Sequence, residues 1–124
     1  MESSHRLEKA RRRYLASYPL AHADLAGLGL TEVPSWLFDR DLITLTLERN
    51  ALSGLPPELG LLGRLELLDV RDNPLEQVPE VVRELVGLEE LYLDGTRIRE
   101  LPGWLRELPR LRYVQWGEGS WRRP

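Results

Sequence analysis

The chain has 124 residues, a formal net charge of −3 and no cysteine. That length is one domain, and a chain without cysteine has neither a disulfide framework nor a thiol nucleophile. So mild a charge does not by itself select a polyanionic partner.

The charge is unevenly placed. Arg6, Lys9, Arg11, Arg12 and Arg13 make the first segment basic, Arg112, Arg122 and Arg123 make the tail basic, and the body between is acidic. In chain order, Ser3 and Ser4 are expected N-caps for a helix over Arg6–Ser17. Leu7, Ala10, Tyr14, Leu15 and Tyr18 recur at helical spacing, and Pro19 stops the pattern. This segment, 1–19, is expected to cap the first unit of the body with its Leu7, Tyr14 and Tyr18 stripe. The run Arg11–Arg12–Arg13 reads as the solvated face of that helix. A nucleic-acid contact there is the distant alternative, because no recognition motif accompanies the charge.

From Leu42 the chain repeats itself every 23 residues. Leu42, Leu65, Leu88 and Leu111 open successive copies. The copy from Leu65 continues with Leu68, Val70, Asn73, Leu75, Val78, Pro79, Val82 and Leu85. The copy before it fills these columns with Leu45, Leu47, Asn50, Leu52, Leu55, Pro56, Leu59 and Leu62. The copy after it has Leu91, Leu93, Thr96, Ile98, Leu101, Pro102, Leu105 and Leu108. A degenerate first copy runs Leu20, Ala23, Leu25, Leu28, Leu30, Val33, Pro34, Leu37, with Leu28 where Asn belongs and Arg40 where the last Leu belongs. The last copy is cut short after Leu111, Val114, Trp116, Gly119 and Trp121. Ends of repeat arrays are commonly atypical.

The L-x-L core alternates with period two and predicts one short strand per copy: Thr44–Leu47, Leu67–Val70, Glu90–Leu93 and Tyr113–Trp116. The returning halves, such as Pro79–Leu85 and Pro102–Leu108, predict short helices or 3-10 turns. Strands stack at about 4.8 Å and helices at about 10 Å, so such an array curves. Asn50 and Asn73 are expected to form a buried ladder with the turn backbone; Thr96 can do so in part, Leu28 and Gly119 cannot.

On these columns the chain resembles leucine-rich repeat proteins of the 23-residue kind, similar to intracellular scaffolds of Ras-pathway and cell-polarity regulation. The resemblance implies an α/β fold. This would be a right-handed solenoid over 20–124, with a parallel concave sheet and a helical or 3-10 convex side. It also implies a non-catalytic, protein-binding role, with a small GTPase or its regulator as one partner class. The strand residues that alternate with the buried leucines should face outward on the concave side. The candidate protein-binding residues are therefore Leu67, Asp69, Arg71, Glu90, Tyr92, Asp94 and Tyr113. Leu67 is apolar where solvent is expected, and Tyr and Arg are the types enriched in binding hot spots.

Trp36 and Trp104 hold the same place in their copies and are expected to lie against the Leu-Pro turns. Trp116 and Trp121 are expected to plug the C-terminal end, or to pair with a second copy in a homodimer. Asp69, Asp72 and Asp94 lack the spacing of a calcium loop, and there is no phosphate-binding glycine loop, so no metal, cofactor or enzymatic activity is expected. Met1–Arg13 shows no apolar run and no membrane-length apolar segment comes after it, which makes the cytoplasm the expected location.

Overall fold

The computed structural model describes residues 2–16, 20–117 and 119–123, without the side chains of residues 2, 3 and 119. The expected helix end at Ser17, the Tyr18 contact and the Pro19 stop lie outside the described residues. Helix α1 spans Glu2–Ala16. Strands β1 (His22–Asp24), β2 (Thr44–Thr46), β3 (Leu67–Asp69), β4 (Glu90–Tyr92), β5 (Tyr113–Trp116) and β6 (Gly119–Arg122) form one sheet in sequence order.

The first five strands are parallel, and each pairs with its neighbour in the repeat's own register: Ala23, Leu45, Leu68, Leu91 and Val114 stand side by side. All five are buried. Each such leucine contributes about 1.5–3 kcal/mol by leaving water. On the far side the chain returns through 3-10 segments at Ser35–Leu37, Pro57–Leu61, Glu80–Glu84 and Gly103–Glu107. A proline in extended conformation precedes each of them, and segments this short do not nucleate an α-helix. Their buried residues Leu37, Leu59, Val82 and Leu105 close the core. Trp36 and Trp104 pack against it half-buried, as expected.

The turn after each strand is held by two devices. Asn73 is 2 % exposed; its amide donates to the carbonyls of Leu47, Val70 and Arg71 and its Oδ1 accepts from the Leu52 N–H at 3.0 Å. Asn50 does the same one repeat earlier, donating to Leu25 and Leu47 and accepting from the N–H groups of Leu28 and Leu30. Thr96 supplies the weaker version, its hydroxyl donating to Leu93 O at 2.7 Å. The second device is a left-handed residue in each turn: Gly27, Arg49, Asp72 and Gly95 have φ of 68, 57, 57 and 72°. Two of these positions carry side chains and bear the associated strain.

Both ends are closed by side chains. Ala10 and Tyr14 of α1 are buried on the first repeat, and the Tyr14 hydroxyl donates to Leu20 O at 2.6 Å. Arg6 donates to Gly29 O at 3.0 Å and Arg13 to Ala26 O at 2.9 Å, so the cap also satisfies carbonyls that have no earlier repeat beside them. Two expectations are corrected here. Ser3 and Ser4 lie inside α1 rather than capping it, since the helix already begins at Glu2. Leu15 is exposed, because the face set by Ala10 and Tyr14 turns it to solvent.

The C-terminal segment departs further from the repeat pattern. Trp116 keeps its column and donates from Nε1 to Ile98 O at 3.0 Å. Gly117 then adopts φ 59° and the chain folds back, so Gly119 and Trp121 belong to β6, antiparallel to β5, with Trp121 opposite Val114. Arg123 reaches the carbonyls of Arg106 and Leu108, each at 3.1 Å, mirroring the arginines of the N-terminal cap.

Leu68→Ala should lower unfolding stability by roughly 2–5 kcal/mol in a denaturant melt, because it opens a cavity in a single-layer core. An unchanged melt would contradict its placement. Gly95→Ala should also be strongly destabilising, since its φ is left-handed and a Cβ there meets the Asp72 carboxylate. Gly54→Ala, with open space at its Cβ, should stay within about 0.5 kcal/mol of the parent.

Candidate functional site

Strand alternation and pairing lay the concave side chains out in rows. His22, Thr44, Leu67, Glu90 and Tyr113 form one row, and Asp24, Thr46, Asp69, Tyr92 and Gln115 the next. The row just beyond the strands holds Glu48, Arg71 and Asp94. The expected residues therefore share one surface, but they are not equivalent.

Asp69 is corrected from an exposed contact to a buried one: it is 5 % exposed. Its Oδ1 accepts the Arg71 backbone N–H at 3.1 Å, and the Arg71 guanidinium folds back over both carboxylate oxygens, with Nη2 at 2.7 Å from Oδ2. Glu48 approaches the same guanidinium at 3.3 Å. These carboxylates raise the Arg71 pKa above its already high value, the Asp69 hydrogen bond foremost. Arg71 is thus fixed in place, and its guanidinium carbon lies 5.6 Å from the centre of the Tyr92 ring.

Tyr92 is the hub. Its hydroxyl donates to Glu90 Oε1 at 2.6 Å, and its ring meets Tyr113 edge-on at a centroid distance of 5.7 Å. The Glu90 hydrogen bond, then burial, then the Glu90 charge push the Tyr92 phenol up to about 12. Leu67 and Tyr113 are half-buried beside this network. Asp94 stands at its edge with no ion pair for its carboxylate among the described residues.

Sequence reasoning missed the contribution of the C-terminal hairpin. Arg122 stands opposite Tyr113 and places its guanidinium 4.9 Å from that ring centre. Arg112 bridges Glu89 at 3.3 Å and Glu90 at 3.6 Å. With Glu90, Tyr92, Tyr113 and Arg123 they line a cleft of about 310 Å³. The only signal for it was the basic tail, and a tail read as a continuing solenoid does not return to the concave face. A wider depression of about 850 Å³, between Glu76, Arg97, Arg99 and Glu100, is open and charge-balanced. Among the described residues no His, Asp and Glu side chains gather into a metal-binding group, and no helix is long and apolar enough to cross a membrane.

A family model described as leucine rich repeat matches residues 40–98. A probable disease resistance protein of Arabidopsis thaliana is 38 % identical over 76 residues, 60 % of this chain and 8 % of that protein. An adenylate cyclase of Podospora anserina is 28 % identical over 116 residues, 72 % of this chain and 5 % of the cyclase. The chain therefore spans under a tenth of these relatives. Among solved structures, a leucine-rich repeat protein of Leptospira interrogans matches with a TM-score of 0.60 and 29 % identity, over 69 % of this chain and 22 % of that one.

Ionisation of Tyr92 should lag behind that of an ordinary phenol in a tyrosinate absorbance titration. Its folded pKa is raised, so the Glu90 hydrogen bond stabilises the fold fully below the ordinary phenol pKa of about 10 and is lost as pH rises through about 12. Tyr92→Phe should remove one late-titrating group; loss of a group that titrates at the ordinary phenol pKa of about 10 would mean that the hydrogen bond is not formed.

Proposed function

We propose, from the premise that this chain is a leucine-rich repeat protein, that it is a non-catalytic module binding a partner protein on its concave face. Proteins of this family generally mediate protein–protein interaction, and the fold is generally non-catalytic. The observation that carries the reading is the Arg71–Tyr92–Tyr113 cluster. It sets two aromatic rings and a guanidinium, held by Asp69 and Glu90, on a rigid parallel sheet. Aromatic and arginine side chains fixed before binding lose little entropy on association, which is what binding hot spots require. Leu67 adds an apolar contact, while Glu90 and Asp94 form a polar rim. Asp69 belongs to the site as the support of Arg71.

The resemblance names a small GTPase or its regulator as one partner class, and a cysteine-free chain suits the cytoplasm. Self-association through Trp116 and Trp121 has less support, since both tryptophans pack against the chain's own core. A nucleic-acid contact through α1 is weakened likewise, because Arg6 and Arg13 are committed to the first repeat.

The test is affinity capture from a lysate of the source organism, with Leu67→Arg/Tyr113→Ala as the comparison bait. Arg71→Glu is unsuitable, as it would set a second carboxylate against buried Asp69. A protein captured by the parent chain and lost with the folded variant is the expected result. Equal capture by both baits would contradict the concave site and favour the convex side, where Leu61 and Val86 are exposed.

A further inference from the structure

The C-terminal end of the concave face differs in chemistry from the rest of it. Arg71 is neutralised by Asp69 and Glu48, and Arg13 by Asp24. Arg112 is shared between Glu89 and Glu90. Arg123 spends its guanidinium on backbone carbonyls. Arg122 alone among these keeps an unsatisfied fork: it is exposed, stacks over Tyr113 and makes no ion pair among the described residues. It opens onto the cleft of about 310 Å³ whose lining holds three arginines and a single acid. That acid is already engaged, since Glu90 accepts the Tyr92 hydroxyl through Oε1 and faces Arg112 through Oε2.

We propose that this cleft receives the carboxylate of an Asp or Glu side chain from an extended, acidic segment of the partner protein. The inference rests on the concave-face reading and names the chemistry of its C-terminal end. Three features select that occupant. An unpaired guanidinium offers two parallel N–H donors, the geometry of a carboxylate. Stacking on the Tyr113 ring holds the fork in position, so less freedom is lost when an anion docks. The edge-paired rings of Tyr92 and Tyr113 offer an apolar wall to the methylenes that carry a side-chain carboxylate, which a bare phosphate lacks.

The probe is hexaglutamate with blocked ends, titrated into the full-length, isotope-labelled chain and followed by amide chemical shifts. Blocked hexaglutamine and inorganic phosphate are the comparison ligands. Expected shifts centre on Tyr92, Tyr113 and Arg122, and Arg122→Glu should weaken binding by about tenfold or more, the loss of one charge-assisted pair. Arg122→Gln should weaken it less, and Arg99→Glu, off this face, should leave it unchanged. Far-ultraviolet dichroism establishes that each variant is folded. The proposal is overturned if hexaglutamate causes no shifts, if hexaglutamine or phosphate binds as well, if the shifts fall on α1, or if Arg122→Glu binds normally. Should Leu67→Arg/Tyr113→Ala lose a captured partner while Arg122→Glu keeps it, the concave site stands and the carboxylate cleft does not.

Discussion

Everything in this chain depends on keeping one repeat in register with the next. Each strand is only three or four residues long and would not persist alone. It is held because its inward leucine stacks on the leucine of the neighbouring strand, and because the turn after it is locked by a buried amide. Asn73 ties together groups of two successive repeats, Leu47 and Leu52 on one side and Val70 and Arg71 on the other. A buried amide with unmet valences costs about 1–3 kcal/mol, so a slipped register is penalised at the asparagine as well as at the leucines. Stability in such an array is close to a sum over neighbours, which makes these interface bonds the unit that propagates order.

A stack of this kind has two open ends, and the chain closes them in related ways. At each end an aromatic side chain covers apolar surface, Tyr14 at one and Trp121 at the other. Arg6 and Arg13 at the first end, and Arg123 at the second, then donate to main-chain oxygens. A guanidinium suits this task because its several donors reach adjacent carbonyls from one planar group. The basic character of both termini thus has a structural use before any functional one; at the C-terminal end Arg123 closes the stack, Arg112 pairs with Glu89 and Glu90, and Arg122 has no carboxylate partner among the described residues.

Much of this was legible because burial in a repeat is periodic. The leucine columns of the 23-residue copies, their strands and the asparagine ladder are placed within a residue of expectation, whereas Leu20 of the degenerate first copy is exposed. What remained hidden was decided by contacts between columns or by backbone angles. Asp69 does lie on the concave face, as alternation requires, yet its exposure is set by Arg71 two residues later. The turn's left-handed residue is visible at Gly27 and Gly95 but concealed at Arg49 and Asp72. Trp121 stands near a repeat column in sequence, so the reversal at Gly117 reads as continuation. The Arg122 cleft exists only because of that reversal.

The proposed binding on the concave face treats that face as a preformed platform from β1 to β6. Native-state hydrogen exchange tests this directly. The amides of Leu25, Leu47, Val70 and Leu93 each donate to the next strand, at 2.8–3.0 Å. They should exchange with one common free energy, equal to that of global unfolding, and the Arg123 amide, which donates to Arg112 O, should approach it. Protection that falls away from Leu93 towards Arg123 would mean that the hairpin opens separately. The Tyr92–Tyr113–Arg122 surface would then be assembled on binding rather than presented in advance.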